Sequence, residues 1–132
     1  MCKYLFLTNN PLVIKEIKNE KIGKDLDIKL QECDDLDEVM TKVRDFIHKG
    51  YNLISHPLAG SVKPAQNPYR SILIEKDSGL NYESLKTIEK AIQKLKQFQK
   101  NKGQKEYPAE IIKDYQVIDH SIISSGIKSL KN

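Results

Sequence analysis

The chain has 132 residues, 39% of them hydrophobic and 30% charged, with a net charge of +4. That is enough for one domain with a real core and too little for two. No apolar run approaches the roughly 18 residues that a membrane span needs, which excludes an integral membrane protein of the helical kind.

Lys3 to Thr8 reads as a first strand. Its run Tyr4-Leu5-Phe6-Leu7 shows no alternation, as expected for a strand covered on both faces. The same stretch lacks the layout of a signal peptide, so a cytoplasmic protein is expected. Asn10 and Pro11 form a helix start: asparagine is a good N-cap, and proline at the first helical position loses nothing by its missing N–H. The helix should run to about Glu20. Asp27 to Gln31 alternates polar and apolar and predicts an edge strand. Asp34 and Asp35 stand where a cap belongs, and Leu36, Val39, Met40, Val43, Phe46 and Ile47 recur at helical spacing. Gly50 supplies a left-handed stop.

The third strand is predicted over Tyr51 to Ser55 and the fourth over Ser71 to Glu75. Asn81 can cap a helix reaching about Lys100, with Leu85, Ile88, Ile92 and Leu95 as its stripe. Pro108 should restart a helix with Ile111, Tyr115, Ile118 and Ile122 on its apolar face, weakened at Ser124-Ser125-Gly126. The order predicts a single three-layer α/β domain over 1–132. Its sheet should be four-stranded and mainly parallel, with helices on both faces and a C-terminal helical pair over about 82–130. The first three strands should run parallel, with the first at the centre; the fourth can take either direction.

Cys2 and Cys33 would lie about 15 Å apart if the first two strands are parallel and rise about 3.3 Å per residue. A disulfide needs alpha carbons within about 7 Å. With no Cys-x-x-Cys and three scattered histidines, neither a disulfide nor a metal site is expected, and no cofactor is implied.

Between the third and fourth strands lies a loop of about fifteen residues, a length usually functional or disordered in a compact domain. It holds His56, Ser61, Lys63, Asn67, Tyr69 and Arg70, with three of the five prolines and no carboxylate. In an open parallel sheet, ligands bind beyond the carboxyl ends of the strands where strand order reverses. If the first and third strands are neighbours, Asn9 and Asn10 would meet this loop there. The helix beginning at Pro11 adds a partial positive charge. These features predict a small anionic ligand: a phosphate, a carboxylate or a nucleotide. Glycine-rich phosphate loops are absent, which argues against a dinucleotide or a P-loop triphosphate.

Each residue also has a plainer role. Asn9 and Asn10 can be caps alone, His56 can bond backbone, and Lys63 and Arg70 can be solvated. Seven lysines and two glutamates lie between Asn81 and Lys105. Without arginine or many aromatics among them, they read as a solvated helix face and not a nucleic-acid interface.

Thr8-Asn-Asn-Pro11, Arg44-Asp-Phe-Ile-His-Lys-Gly50, Ser55-His-Pro-Leu-Ala-Gly-Ser-Val-Lys-Pro64 and Asn67-Pro-Tyr-Arg-Ser71 together resemble the GrdX family over roughly residues 3 to 95. These are small bacterial proteins encoded with glycine, sarcosine or betaine reductase components. The chain departs from the family pattern at Ser55, Ala59 and Gln66, where Thr, Ser and Glu are usual. The resemblance implies a metabolic setting and no mechanism. The expectation is an accessory or small-anion-binding protein of that metabolism, with a reductase-complex protein or a second copy as compatible partners. The alternative is a small enzyme in which His56 moves protons while Lys63 or Arg70 holds an anionic substrate.

Overall fold

A computed structural model describes residues 3–23, 26–57, 67–77, 79–102 and 107–131. The elements follow as β1 (Tyr4–Thr8), α1 (Pro11–Lys18), β2 (Ile28–Glu32), α2 (Leu36–His48), β3 (Tyr51–Leu53), β4 (Ser71–Lys76), α3 (Tyr82–Lys102) and α4 (Ala109–Lys131). The fold is α/β, with a four-stranded sheet in the order β2-β1-β4-β3.

The sheet is mixed, not mainly parallel. β1 pairs parallel with β2, from Tyr4 opposite Ile28 to Thr8 opposite Glu32. β4 pairs antiparallel with β1 on one side and with β3 on the other. The first three strands therefore point one way, as their alternation with helices predicts, but β4 inserts between β1 and β3. Burial explains the position of β4. Ile72, Leu73 and Ile74 are almost wholly buried, whereas Tyr51, Asn52 and Leu53 are only half-buried. The strand with apolar groups on both faces takes the interior slot, and the half-polar one takes the edge. The antiparallel pairing with both neighbours brings the amino end of β4 to the sheet edge where β1 and β3 end.

Caps form where the sequence places them. Asn10 Oδ1 accepts from Leu12 N at 3.0 Å, Asp35 Oδ1 from Glu38 N at 2.8 Å and Asn81 Oδ1 from Ser84 N at 2.8 Å. Each satisfies one of the orphan N–H groups of a helix start. Gly50, with φ of +104°, turns the chain out of α2; a Cβ there would meet Asp77 O at 3.2 Å.

Two core clusters draw on alternate residues of β1, as a two-residue period requires of a strand contacted from both faces. Leu5 and Leu7 join Val39, Val43 and Ile47 of α2 and Ile88 and Leu95 of α3. Phe6 joins Leu73, Val13 of α1, and Ile123 and Ile127 of α4. The two C-terminal helices are thus not a pair: α3 packs against α2, and α4 against α1.

α4 also turns a different face inward than its isoleucines suggest. Its buried positions are Asp119, Ile123 and Ile127, while Ile111 and Ile118 are exposed. It runs unbroken through Ser124-Ser125-Gly126. Ile123 and Ile127 bracket that weak stretch and are buried, so packing overrides local propensity. Among the described residues no helix is long and apolar enough to cross a membrane.

Candidate functional site

Because β4 is antiparallel, its amino end lies at the same edge of the sheet as the carboxyl ends of β1 and β3. Thr8 stands opposite Ser71 in the ladder. Ser55, just past β3, accepts from Leu73 N through its Oγ at 2.9 Å. The expected meeting of the β1 and β3 clusters therefore occurs, but across β4, with Arg70 and Ser71 between them. α4 closes the arrangement from below with Asp119.

Asp119 is 5% exposed and is the hub. Its Oδ2 accepts from Ser71 Oγ at 2.6 Å and Asn10 Nδ2 at 3.0 Å; its Oδ1 accepts from Ser71 N at 3.1 Å. Thr8 Oγ1 lies 2.8 Å from Ser71 Oγ and accepts from Asn10 N at 3.0 Å. A hydroxyl has one hydrogen to give. Ser71 spends its hydrogen on Asp119, so Thr8 donates to Ser71. The result is a directed chain from the Asn10 backbone through Thr8 and Ser71 to the carboxylate. Burial raises the Asp119 pKa above the usual carboxylate value; the bonds from Ser71 and Asn10 and the charge of Arg70 pull it back only in part. Arg70, 4% exposed, is shifted the other way: burial lowers its pKa, and Asp119 opposes that.

The three asparagines expected at the site are committed to backbone. Asn9 donates to Pro68 O at 2.8 Å and accepts from Arg70 N at 2.9 Å. Asn10 caps α1 and donates to Gln116 O at 2.9 Å. Asn67 donates to Tyr115 O at 3.1 Å and accepts from Tyr69 N at 2.9 Å. They splice the segment before β4 onto β1 and α4 and leave little for a ligand. Tyr69 is half-buried beside them. Ser61 and Lys63 lie outside the described residues.

A partly open cavity of about 170 Å³ lies beside this network, lined by Ser55, His56, Arg70, Asp119, Ile122 and Ile123 among others. His56 is exposed at its rim. Of the expected residues, the cavity gathers His56 and Arg70. It adds Ser55 and Asp119, which sequence reasoning missed. Asp119 had a signal: it is the one carboxylate in register with Ile123 and Ile127 at four-residue steps, on the face that packs inward.

Helices α1 and α2 join different core clusters, so the loops after β1 and β2 diverge to opposite faces. The reversal of strand order therefore lies between β1 and β2, not between β1 and β3 as the sequence suggested. An open groove of about 560 Å³ sits there, with Lys15 and Lys18 facing Glu32 and Asp34. Lys18 and Glu32 approach to 3.2 Å, both exposed, so much of the charge is cancelled within the groove. Cys33 in its wall is buried, and desolvation, with Glu38 next, pushes its thiol pKa up to about 11, which leaves it protonated and unreactive at neutral pH. The lysines of α3 at 86, 90, 94 and 96 are exposed. Among the described residues no His, Cys, Asp and Glu side chains gather in a group able to hold a metal ion.

No curated protein and no solved structure matches the chain. The family described as GrdX-like protein matches residues 5–128. The match extends beyond the motifs quoted above and takes in most of α4, Asp119 included. With nearly its whole length covered, the chain belongs to the GrdX-like family.

Proposed function

We propose that this chain is an accessory protein of glycine, sarcosine or betaine reductase metabolism that binds a small anion in the cavity between β3, β4 and α4. Family membership supports the metabolic setting. The observation that supports the anion reading is Arg70, a buried guanidinium in the wall of a partly open cavity. Guanidinium donors form charge-assisted, bidentate bonds to carboxylate and phosphate. The volume of about 170 Å³ is close to that of an engineered cavity of about 150 Å³ that holds benzene. A carboxylate or phosphate of few atoms suits it; a nucleotide does not. A second reading, a small enzyme with His56 as acid and base, is favoured by His56 standing at the rim of the same cavity.

The test is a thermal-shift screen of acetate, phosphate and acetyl phosphate. A ligand of this site stabilises the native state by about 2.7 kcal/mol at a hundred times its dissociation constant. Arg70→Gln should weaken that response, and Lys86→Ala, far from the cavity on α3, should not. A flat wild-type screen, or equal loss with Lys86→Ala, would contradict the reading. Turnover of acetyl phosphate that disappears with His56→Ala would favour the enzyme instead.

A further inference from the structure

The sheet has two outer edges, β3 and β2, and the chain treats them differently. We propose that the β2 edge pairs antiparallel with β2 of a second copy of this chain, joining two sheets into one.

The β3 edge is short and partly closed. It has three residues, and Leu53 N donates to Ser84 Oγ of α3 at 3.0 Å. Just beyond it, Ile54 N turns back to Leu73 O. β2 has five residues, no proline and an unbroken register with β1. Its outward groups follow from two bonds: Tyr4 N donates to Asp27 O, and Cys33 N donates to Thr8 O. Backbone groups alternate sides along a strand. Asp27, Lys29, Gln31 and Cys33 therefore turn toward β1, while Ile28, Leu30 and Glu32 turn away from it. Ile28 N is satisfied by Leu26 O. Among the described residues nothing bonds to Leu30 N, Leu30 O, Ile28 O or Glu32 N. A row of unpaired edge groups is a template for another strand.

These groups complement themselves. About a twofold axis at Leu30, the two copies of Leu30 exchange N–H and C=O bonds, and each Glu32 N reaches Ile28 O of the other copy. Every outward N–H of the strand then has an acceptor. The side chains agree with this register. Leu30 meets Leu30, and Lys29 lies opposite Gln31, so no like charges are directly opposed. Glu32 lies opposite Ile28 and keeps its carboxylate on Lys18, 3.2 Å away. Sliding the pair until Leu30 meets Glu32 would set an apolar residue against a charge. It would also draw on Glu32 O, which Gln31 Nε2 already approaches at 3.5 Å. A stable interface buries about 800 Å² per partner, more than a five-residue strand supplies, so the association should be reversible and depend on concentration.

The experiment is sedimentation velocity of the full chain over a range of concentrations. Wild type should pass from monomer to dimer. Gln31→Lys places like charges opposite each other at both symmetric positions and should weaken dimerisation about tenfold. Gln31→Glu should strengthen it by a similar factor, and Lys29→Glu combined with Gln31→Lys should restore it. Gln93→Lys, exposed on α3, adds the same charge away from the edge and should change nothing. Amide hydrogen exchange of the wild type decides even if a variant fails to fold: Leu30 and Glu32 should gain protection as protein concentration rises. A wild type that stays monomeric up to about 1 mM would overturn the proposal. So would a dimer that ignores the charge at position 31, or one in which the Leu30 and Glu32 amides stay unprotected.

Discussion

Asp119 is where the chain spends most of its buried polarity. Ser71 and Asn10 donate to it, and Arg70 faces it as a buried counter-charge. Removing one partner of a buried charge pair typically costs about 3–5 kcal/mol, because the other charge is left uncompensated. Asp119→Ala should therefore cost stability in that range by urea denaturation, far more than an exposed carboxylate such as Asp37→Ala. The pH dependence has a definite sign. The folded pKa is raised above the unfolded value of about 3.9. Between the two values the folded state binds more protons, so the contribution of Asp119 to stability falls as pH rises through that window, then levels off above the folded pKa. The difference in stability between wild type and Asp119→Asn, measured against pH, should show this fall. A difference that grows with pH through the same window would mean that hydrogen bonding and Arg70 outweigh burial.

At the scale of elements, α4 carries the clearest prediction. Gly126 lies within the helix, and a Cβ there would meet nothing within 4 Å. Gly126→Ala should stabilise the protein by about 0.5–1 kcal/mol through helix propensity alone, read as a higher denaturation midpoint with an unchanged slope. The same helix marks the limit of what the sequence discloses. The caps at Asn10, Asp35 and Asn81, the stop at Gly50 and the central place of β1 were legible, because each depends on local chemistry or on an unbroken apolar run. The inward face of α4 was not. Isoleucines occupy two overlapping stripes, and only the position of β1 and β4 decides that Ile123 and Ile127 turn inward and carry Asp119 with them. The pairing of β4 was hidden for a similar reason: a loop of that length fits either direction, and the choice lies in burial competition among strands. For the site, His56 and Arg70 were legible as loop residues. Asp119 was not, being about fifty residues further along the chain and inside a helix.

At the scale of the molecule, three strand ends and one helix converge on a single edge of the sheet. The hydrogen bonds of Asn9, Asn10 and Asn67 tie the segment before β4 to β1 and α4, which suits a site whose donors must be held in advance. The central claim is that a small anionic ligand enters the cavity formed there. The most direct measurement is a two-dimensional amide NMR titration with acetate and phosphate. Shifts should be confined to the cavity, with Ser55, Arg70, Ser71, Asp119 and Ile123 moving together and saturating along one curve, while Lys86, Lys90 and Lys94 stay unchanged. Shifts spread over the α3 lysines, or confined to the groove at Lys15 and Asp34, would contradict it.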